Sequence, residues 1–208
     1  ILRVLCSKKG ESKDMTQDSF IPVIDLAPAR EGNDVLVGKQ IHDAFVSSGF
    51  CYIKNHGIPD DCIAELKKQS LDFFHLPLSE KDRYRPKQAV RGFNALNRTI
   101  MYGADRPDYK EFYQIGPEFP PASGQKPPQN ELQGPNIWPE GRPAFRQAFL
   151  EYYKAVGACG QILLKAVANS LNLDSRFFEQ KYQYPLQRTQ AIWYPPAEAR
   201  AESESITY

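Results

Sequence analysis

The side chains that carry most enzyme chemistry are sparse in this chain. Its 208 residues hold three histidines, His42, His56 and His75, and none has the spacing of a metal or nucleophile site. His42 stands beside Asp43 rather than two residues from a carboxylate. There is no H-E-x-x-H, no G-x-S-x-G, no Walker loop and no G-x-G-x-x-G. His56, between Asn55 and Gly57 at a strand end, lacks partners to complete a site and reads as a turn residue bonding backbone groups. Cys6, Cys51, Cys62 and Cys159 stand far apart with no C-x-x-C pair, so neither a zinc knuckle nor a disulfide framework is written, and a reducing, cytoplasmic compartment is expected.

Three further places could do chemistry. Arg91-Gly92-Phe93 follows a basic loop of Arg83, Arg85 and Lys87. Its guanidinium fork would suit a carboxylate ligand, against the plainer reading of a solvated loop arginine. Lys110 and Glu111 are neighbours on a strand and point to opposite faces, so they cannot share a pocket and are expected to pair elsewhere. Tyr194, in Trp193-Tyr194-Pro195-Pro196, is a phenol leaving a strand and fixed by two prolines. It is either a rigid hydrogen-bond donor in a site or a buried structural tyrosine, and the residues alone leave both open.

Composition narrows the class of partner. With 41% hydrophobic residues the chain can bury a core. With 26 Lys+Arg against 25 Asp+Glu, a net charge of +1 supplies no single-sign field for nucleic acid or an anionic membrane. No apolar run approaches the roughly 20 residues of a membrane helix. A small-molecule partner is expected, with the oligomeric state open and a monomer as the default.

The elements that must position these groups alternate between strand and helix. A strand is expected at Ile21–Leu26, and a helix capped by Asn33 or Asp34 with Leu36, Val37, Ile41, Ala44 and Phe45 as its stripe, stopped by Gly49. A strand at Phe50–Ile53 and a turn at Asn55-His56-Gly57 follow. Asp60 caps a second helix with Ile63, Leu66, Ser70, Phe73 and Phe74 inward. A helical turn is read at Ser79–Arg83, a loop around Val90–Phe93 and a strand at Tyr109–Ile115. Eight of the 17 prolines lie between Pro117 and Pro143, which implies a long ordered surface loop. The longest helix then runs to about Leu171 on Phe145, Phe149, Tyr152, Tyr153, Val156, Leu163, Leu164 and Val167. Asp174 or Ser175 caps a short helix carrying Phe177 and Phe178, and Leu186–Tyr194 is the last strand before Pro195.

Read in order, these segments resemble the isopenicillin N synthase-like family of non-haem iron, 2-oxoglutarate-dependent oxygenases. Ile21–Leu26 looks like its opening strand, and Gly49–Pro59 resembles its "GFFYIxNHGIP" signature. Phe73-Phe74-His75-Leu76-Pro77 with Lys81 is similar to "FFxLPxxxK", and Arg91-Gly92-Phe93 to the "RGY" loop. Lys110-Glu111-Phe112 resembles the "KE" strand of bacterial members, Asn136-Ile137-Trp138-Pro139 the "NxWP" segment, and Trp193–Pro196 the "YPP" strand. The resemblance runs from about Phe20 to Pro196.

It implies an α+β fold, a helix-rich N-terminal region packed on the first strands of a double-stranded β-helix (jelly roll) that is incomplete in this chain. Residues 1–14 would be an upstream extension, with Met15 the natural start. Residues 20–140 would be the N-terminal-type domain, 141–185 core helices, and 186–208 the first strands of the oxygenase domain. The implied parent uses Fe(II), O2 and 2-oxoglutarate to hydroxylate, desaturate or cyclise a small molecule. Its iron ligands, a His-x-Asp pair and a distant His, have no counterpart here, and no His follows His75. No catalytic or metal residue is therefore assigned, and neither Fe(II) nor 2-oxoglutarate is expected to bind this chain tightly. The alternative is an inactive stand-alone binding module of the same fold. Tyr194 matches a tyrosine that bonds a carboxylate of 2-oxoglutarate or substrate, and Arg91 lies in a loop that borders the substrate pocket. Ile192, where plant members have Asn, favours a bacterial-type member.

Overall fold

The computed structural model describes residues 21–86, 91–96, 108–118, 134–182 and 185–196. Residues 1–14, Met15, most of the proline-rich segment and residues 197–208 lie outside the described residues. The chain divides into two compact units, Ile1–His56 with Lys165–Ser175, and Gly57–Leu164 with Arg176–Tyr208.

In the first unit, β1 (Val23–Asp25) and β2 (Tyr52–Lys54) pair in parallel, with α1 (Ala27–Arg30) and α2 (Asp34–Ser47) between them in sequence. A parallel pair needs such a crossover, because a tight hairpin cannot bring the chain back in the same direction. Asn33 caps α2, its Oδ1 accepting from Leu36 N at 3.3 Å. Gly49, with φ +73°, takes the left-handed position after the helix, its N–H donating to Ala44 O. Val37, Ile41 and Ala44 are buried with Ile24 and Leu26. Leu36 and Phe45, expected in this stripe, are exposed, because each flanks the buried face by one helical step. Gly38 lets α2 meet the residues at Lys165–Ser175 closely, since a Cβ there would stand 2.6 Å from Ala166 O.

One junction explains two signature segments of the sequence. The Asp25 carboxylate accepts from Ala27 N and from Asn55 Nδ2, each at 2.9 Å. These bonds, the Ala27 N–H first and Asn55 next, hold the carboxyl below its ordinary range. Asn55 takes a φ of +53° that few side chains other than Asn, Asp and Gly adopt readily, followed by Gly57 at +77°. This is a turn, as the sequence indicates.

The second unit is an antiparallel sheet under helices. It holds α3 (Asp60–Phe74), α4 (Leu78–Lys81) with a 3-10 turn at Asp82–Tyr84, β3 (Gly92–Asn94), β4 (Glu111–Ile115), α5 (Pro143–Ser170) up to Leu164, α6 (Phe177–Lys181) and β5 (Thr189–Trp193). The strand order is β3-β4-β5. Its core is aromatic: Phe73, Phe74, Phe93, Tyr113, Phe145 and Phe149 cluster with Ile115. Tyr113 meets Phe73 edge-on at 5.1 Å between centroids and Phe145 at 4.8 Å, the arrangement that ring quadrupoles favour.

Three local expectations are corrected. The segment read as a loop at Val90–Phe93 contributes strand β3, whose Gly92, Phe93 and Asn94 pair with Gln114, Tyr113 and Phe112. Asp60 is not the cap of α3; Pro59 holds that position, and Asp60 and Asp61 occupy the first turn, where carboxylates favour the helix dipole. Neither Asp174 nor Ser175 caps α6, which starts after Arg176 without a side-chain cap.

Candidate functional site

Alternation along each strand sends side chains to opposite faces of the β3-β4-β5 sheet, and the register decides which of them share a face. Phe93, Tyr113 and Ala191 stand level on one face, continued by Glu111 beside Trp193 and Ile115 beside Thr189. This face packs on the aromatic core. The other face carries Asn94, Phe112 and Ile192 in one row and Gly92, Gln114 and Gln190 in the next. None of these six carries a charge.

Tyr194 follows β5 and is 62% exposed. Pro195 biases it to extended backbone, so the alternation continues. Trp193 turns to the helical side, where its ring stacks on Phe74 and meets His75. Tyr194 therefore shares the neutral face with Gln190 and Ile192. On that face Gln114 is 2% exposed while Gln190 is exposed, and Gln190 Nε2 donates to Gln114 Oε1.

Arg91 is elsewhere. It is 2% exposed, which corrects its reading as a solvated loop residue. Nη1 donates to Pro117 O at 2.5 Å and to Asn136 Oδ1 at 3.3 Å. Asn136 in turn grips Gly116 as a neighbouring strand would, accepting from its N–H at 3.0 Å and donating to its carbonyl at 2.9 Å. The guanidinium lies flat over Gly116, where any Cβ would come within 2.6 Å of Nη2. Burial pulls its pKa below the usual value, offset by the nearby Tyr153 and Glu118. Tyr153, itself half-buried, is pushed up to about 12 by desolvation. Arg91 thus fastens the "RGF" and "NIWP" segments to the end of β4. Arg91 adjoins Gly92, which is level with Gln190, and Tyr194 stands four residues further along β5, about 13 Å at the rise of an extended strand. The structure does not bring Arg91 and Tyr194 to one ligand.

Lys110 and Glu111 separate as expected. Lys110 Nζ pairs with Asp108 at 2.6 Å, while Glu111 Oε2 meets Lys81 Nζ at 2.7 Å with both side chains buried. Lys81 also donates to Phe74 O at 2.8 Å, at the end of α3, and lies 5.3 Å from the Phe93 ring centroid. The lysine of "FFHLPLSEK" and the glutamate of the "KE" strand are one buried ion pair.

Among the described residues, no three His, Cys, Asp or Glu side chains gather in a way that could hold a metal ion. His42 sits beside Asp43 at 3.4 Å and His75 packs against Trp193. These residues do not build an iron site. For a carboxylate ligand the neutral face offers the Tyr194 hydroxyl. Sequence reading missed Asn94, Gln114 and Gln190; a lone Gln between Tyr113 and Ile115 was the available signal.

Comparison with known proteins gives this arrangement its family. The profile described as "non-haem dioxygenase in morphine synthesis N-terminal" matches residues 21–141. A 2-oxoglutarate-dependent dioxygenase of Trichoderma harzianum, thnC, is 30% identical over 186 residues, covering 86% of this chain and 57% of the relative. DMR6-like oxygenase 1 of Arabidopsis thaliana is 26% identical, covering 94% and 53%. The chain spans about half the length of the curated relatives it matches. Among solved structures, a 2OG-Fe(II) oxygenase family protein of Caulobacter crescentus superposes with a TM-score of 0.72 at 23% identity, covering 86% of this chain and 57% of that one. A full-length Neurospora crassa protein crystallised in complex with alpha-KG gives 0.69 at 24%, covering 84% and 54%. The fold is thus that of the helix-rich portion and first sheet of these jelly-roll oxygenases, and the chain belongs to the non-haem dioxygenase family.

Proposed function

We propose that this chain is part of an oxygenase that uses Fe(II), O2 and 2-oxoglutarate to oxidise a small molecule, hydroxylating, desaturating or cyclising it. The observation that carries the reading is the family match over residues 21–141, continued by relatives that align with most of the chain. Iron, when bound, would supply the redox chemistry, held by residues beyond those described. The chain's own contribution is one wall of the site. Tyr194 would donate its hydroxyl to a carboxylate of 2-oxoglutarate or substrate. Arg91 enters as a positioning residue that fixes the rim rather than as a group touching ligand.

The test uses the full-length gene product. Its reading frame should include a His-x-Asp within about 5 to 15 residues past Tyr208, and the protein should convert 2-oxoglutarate to succinate in the presence of Fe(II). Tyr194→Phe keeps the ring, so stability should change by no more than about 0.5 to 1.5 kcal/mol. A neutral donor to a carboxylate is worth about 1.5 to 3 kcal/mol, so the Michaelis constant for 2-oxoglutarate or substrate should rise roughly ten- to a hundredfold. Unchanged constants for both would remove Tyr194 from the site. A full-length protein with neither the His-x-Asp nor turnover would establish the inactive binding module instead.

A further inference from the structure

We propose that Gln190, oriented by Gln114, determines substrate specificity, and that the part of the substrate meeting it is an uncharged amide-type edge: a carboxamide, lactam or imide. The inference rests on the oxygenase reading above and names its substrate class.

Three observations support it. The first is charge. The sheet face that carries Tyr194 presents Asn94, Phe112, Gln114, Gln190 and Ile192, with no ionised group among them. A carboxylate or ammonium seated on the Gln190 amide, away from the Tyr194 hydroxyl, would lose hydration and meet no countercharge among these residues. The second is orientation. Gln190 sits exposed on β5, yet its Nε2 donates to the buried Oε1 of Gln114 on the next strand. An exposed glutamine ordinarily samples many rotamers, at a cost to any ligand that must fix it. Here the bond sets the plane of the amide in advance, leaving the Gln190 Oε1 as an acceptor beside a remaining N–H donor. The third is pattern. An acceptor next to a donor is the complement of an amide edge, the same geometry by which Gln and Asn read adenine. Ile192, exposed on β5 and level with the buried Phe112 of β4, gives the apolar contact beside it. A site built to bond such an edge rejects analogues that lack it far more strongly than an apolar pocket rejects a missing methylene.

The full-length protein, kept metal-free, would be titrated by ligand-observed NMR with three probes: 2-piperidone, cyclohexanone, which keeps the ring without the N–H, and cyclohexanecarboxylate, which is charged. The expected result is 2-piperidone binding at least about tenfold tighter than either of the others. Gln190→Leu and Gln190→Glu should each remove that preference, the second retaining the length of the side chain in case the first disturbs folding. Gln147→Leu on the exposed side of α5 should preserve it. Equal binding of the three probes by the unmodified protein, or a preference that survives both Gln190 variants, would overturn the inference. Succinate formation from 2-oxoglutarate, measured in parallel on the iron-loaded protein, separates the two levels. Turnover without lactam preference defeats this inference alone, whereas absence of turnover defeats the oxygenase reading and this inference with it.

Discussion

On one face of the β3-β4-β5 sheet, Phe93, Tyr113 and Trp193 interlock with Phe73, Phe74 and Phe145, and a buried Lys81–Glu111 pair ties the strands to α3. On the other, the same strands present neutral amides and a phenol, with Gln190, Ile192 and Tyr194 exposed. The pleat is shared, so neighbours in sequence serve different ends: Trp193 packs and Tyr194 waits at the surface. Substitutions at odd and even positions of one strand should therefore register in different experiments, the first in stability and the second in binding.

The sharpest way to break this contrast is to empty the packed face. Phe73 is fully buried against the rings of Phe93, Tyr113 and Phe145, and Phe73→Ala should cost about 4 kcal/mol in urea denaturation. A loss under about 1 kcal/mol would mean that the cluster is loosely packed. Next comes Glu111→Gln, which leaves the Lys81 charge buried without its partner. It should cost about 3 kcal/mol, and the double variant Lys81→Met, Glu111→Leu should recover most of it, because apolar groups of similar volume need no desolvation. A double variant no better than the single one would show that the pair itself is stabilising.

Titration gives a milder contrast. Burial raises the phenols of Tyr113 and Tyr153, the latter to about 12, whereas an unfolded chain ionises its tyrosines near 10. Their contribution is complete below pH 10 and erodes as pH rises from there toward 12. Tyr153→Phe should flatten that fall in melting temperature. The smallest expected effect is Gln190→Leu, at about 0.5 to 1.5 kcal/mol, the net worth of one hydrogen bond. A larger loss would place Gln190 with the packed face in its role and weaken the distinction.

Much of the framework was legible in the sequence because its signals are local. The Asn33 cap, the Gly49 stop and the apolar period of α5 lie within a few residues of what they control. The order of motifs gave the family for the same reason. What escaped depends on partners distant in sequence. Three residues at Gly92–Asn94 are too few to show a period, so β3 read as a loop. Lys81 and Glu111 lie 30 residues apart, and nothing near either names the other. The amide pair needs the register of β4 on β5, where a slip of one residue would send Gln190 to the core instead. Asp60 and Asp174 misled because an acidic residue suits both a cap and the first turn beside it.

The pairing of β4 with β5 also sets when the candidate site comes into being as the chain folds. Gln114 and Gln190 are separated by 76 residues. Closing a flexible loop of that length costs roughly 4 kcal/mol of chain entropy before any contact offsets it. Contacts of such long range form slowly, whereas α3, β3 and β4 are near one another in sequence and can collapse early around Phe73 and Tyr113. The wall bearing Gln190 and Tyr194 is thus assembled onto a core that already exists. Until β5 arrives, the edge of β4 stays open to any other extended segment, which makes this step the point at which misfolding would begin.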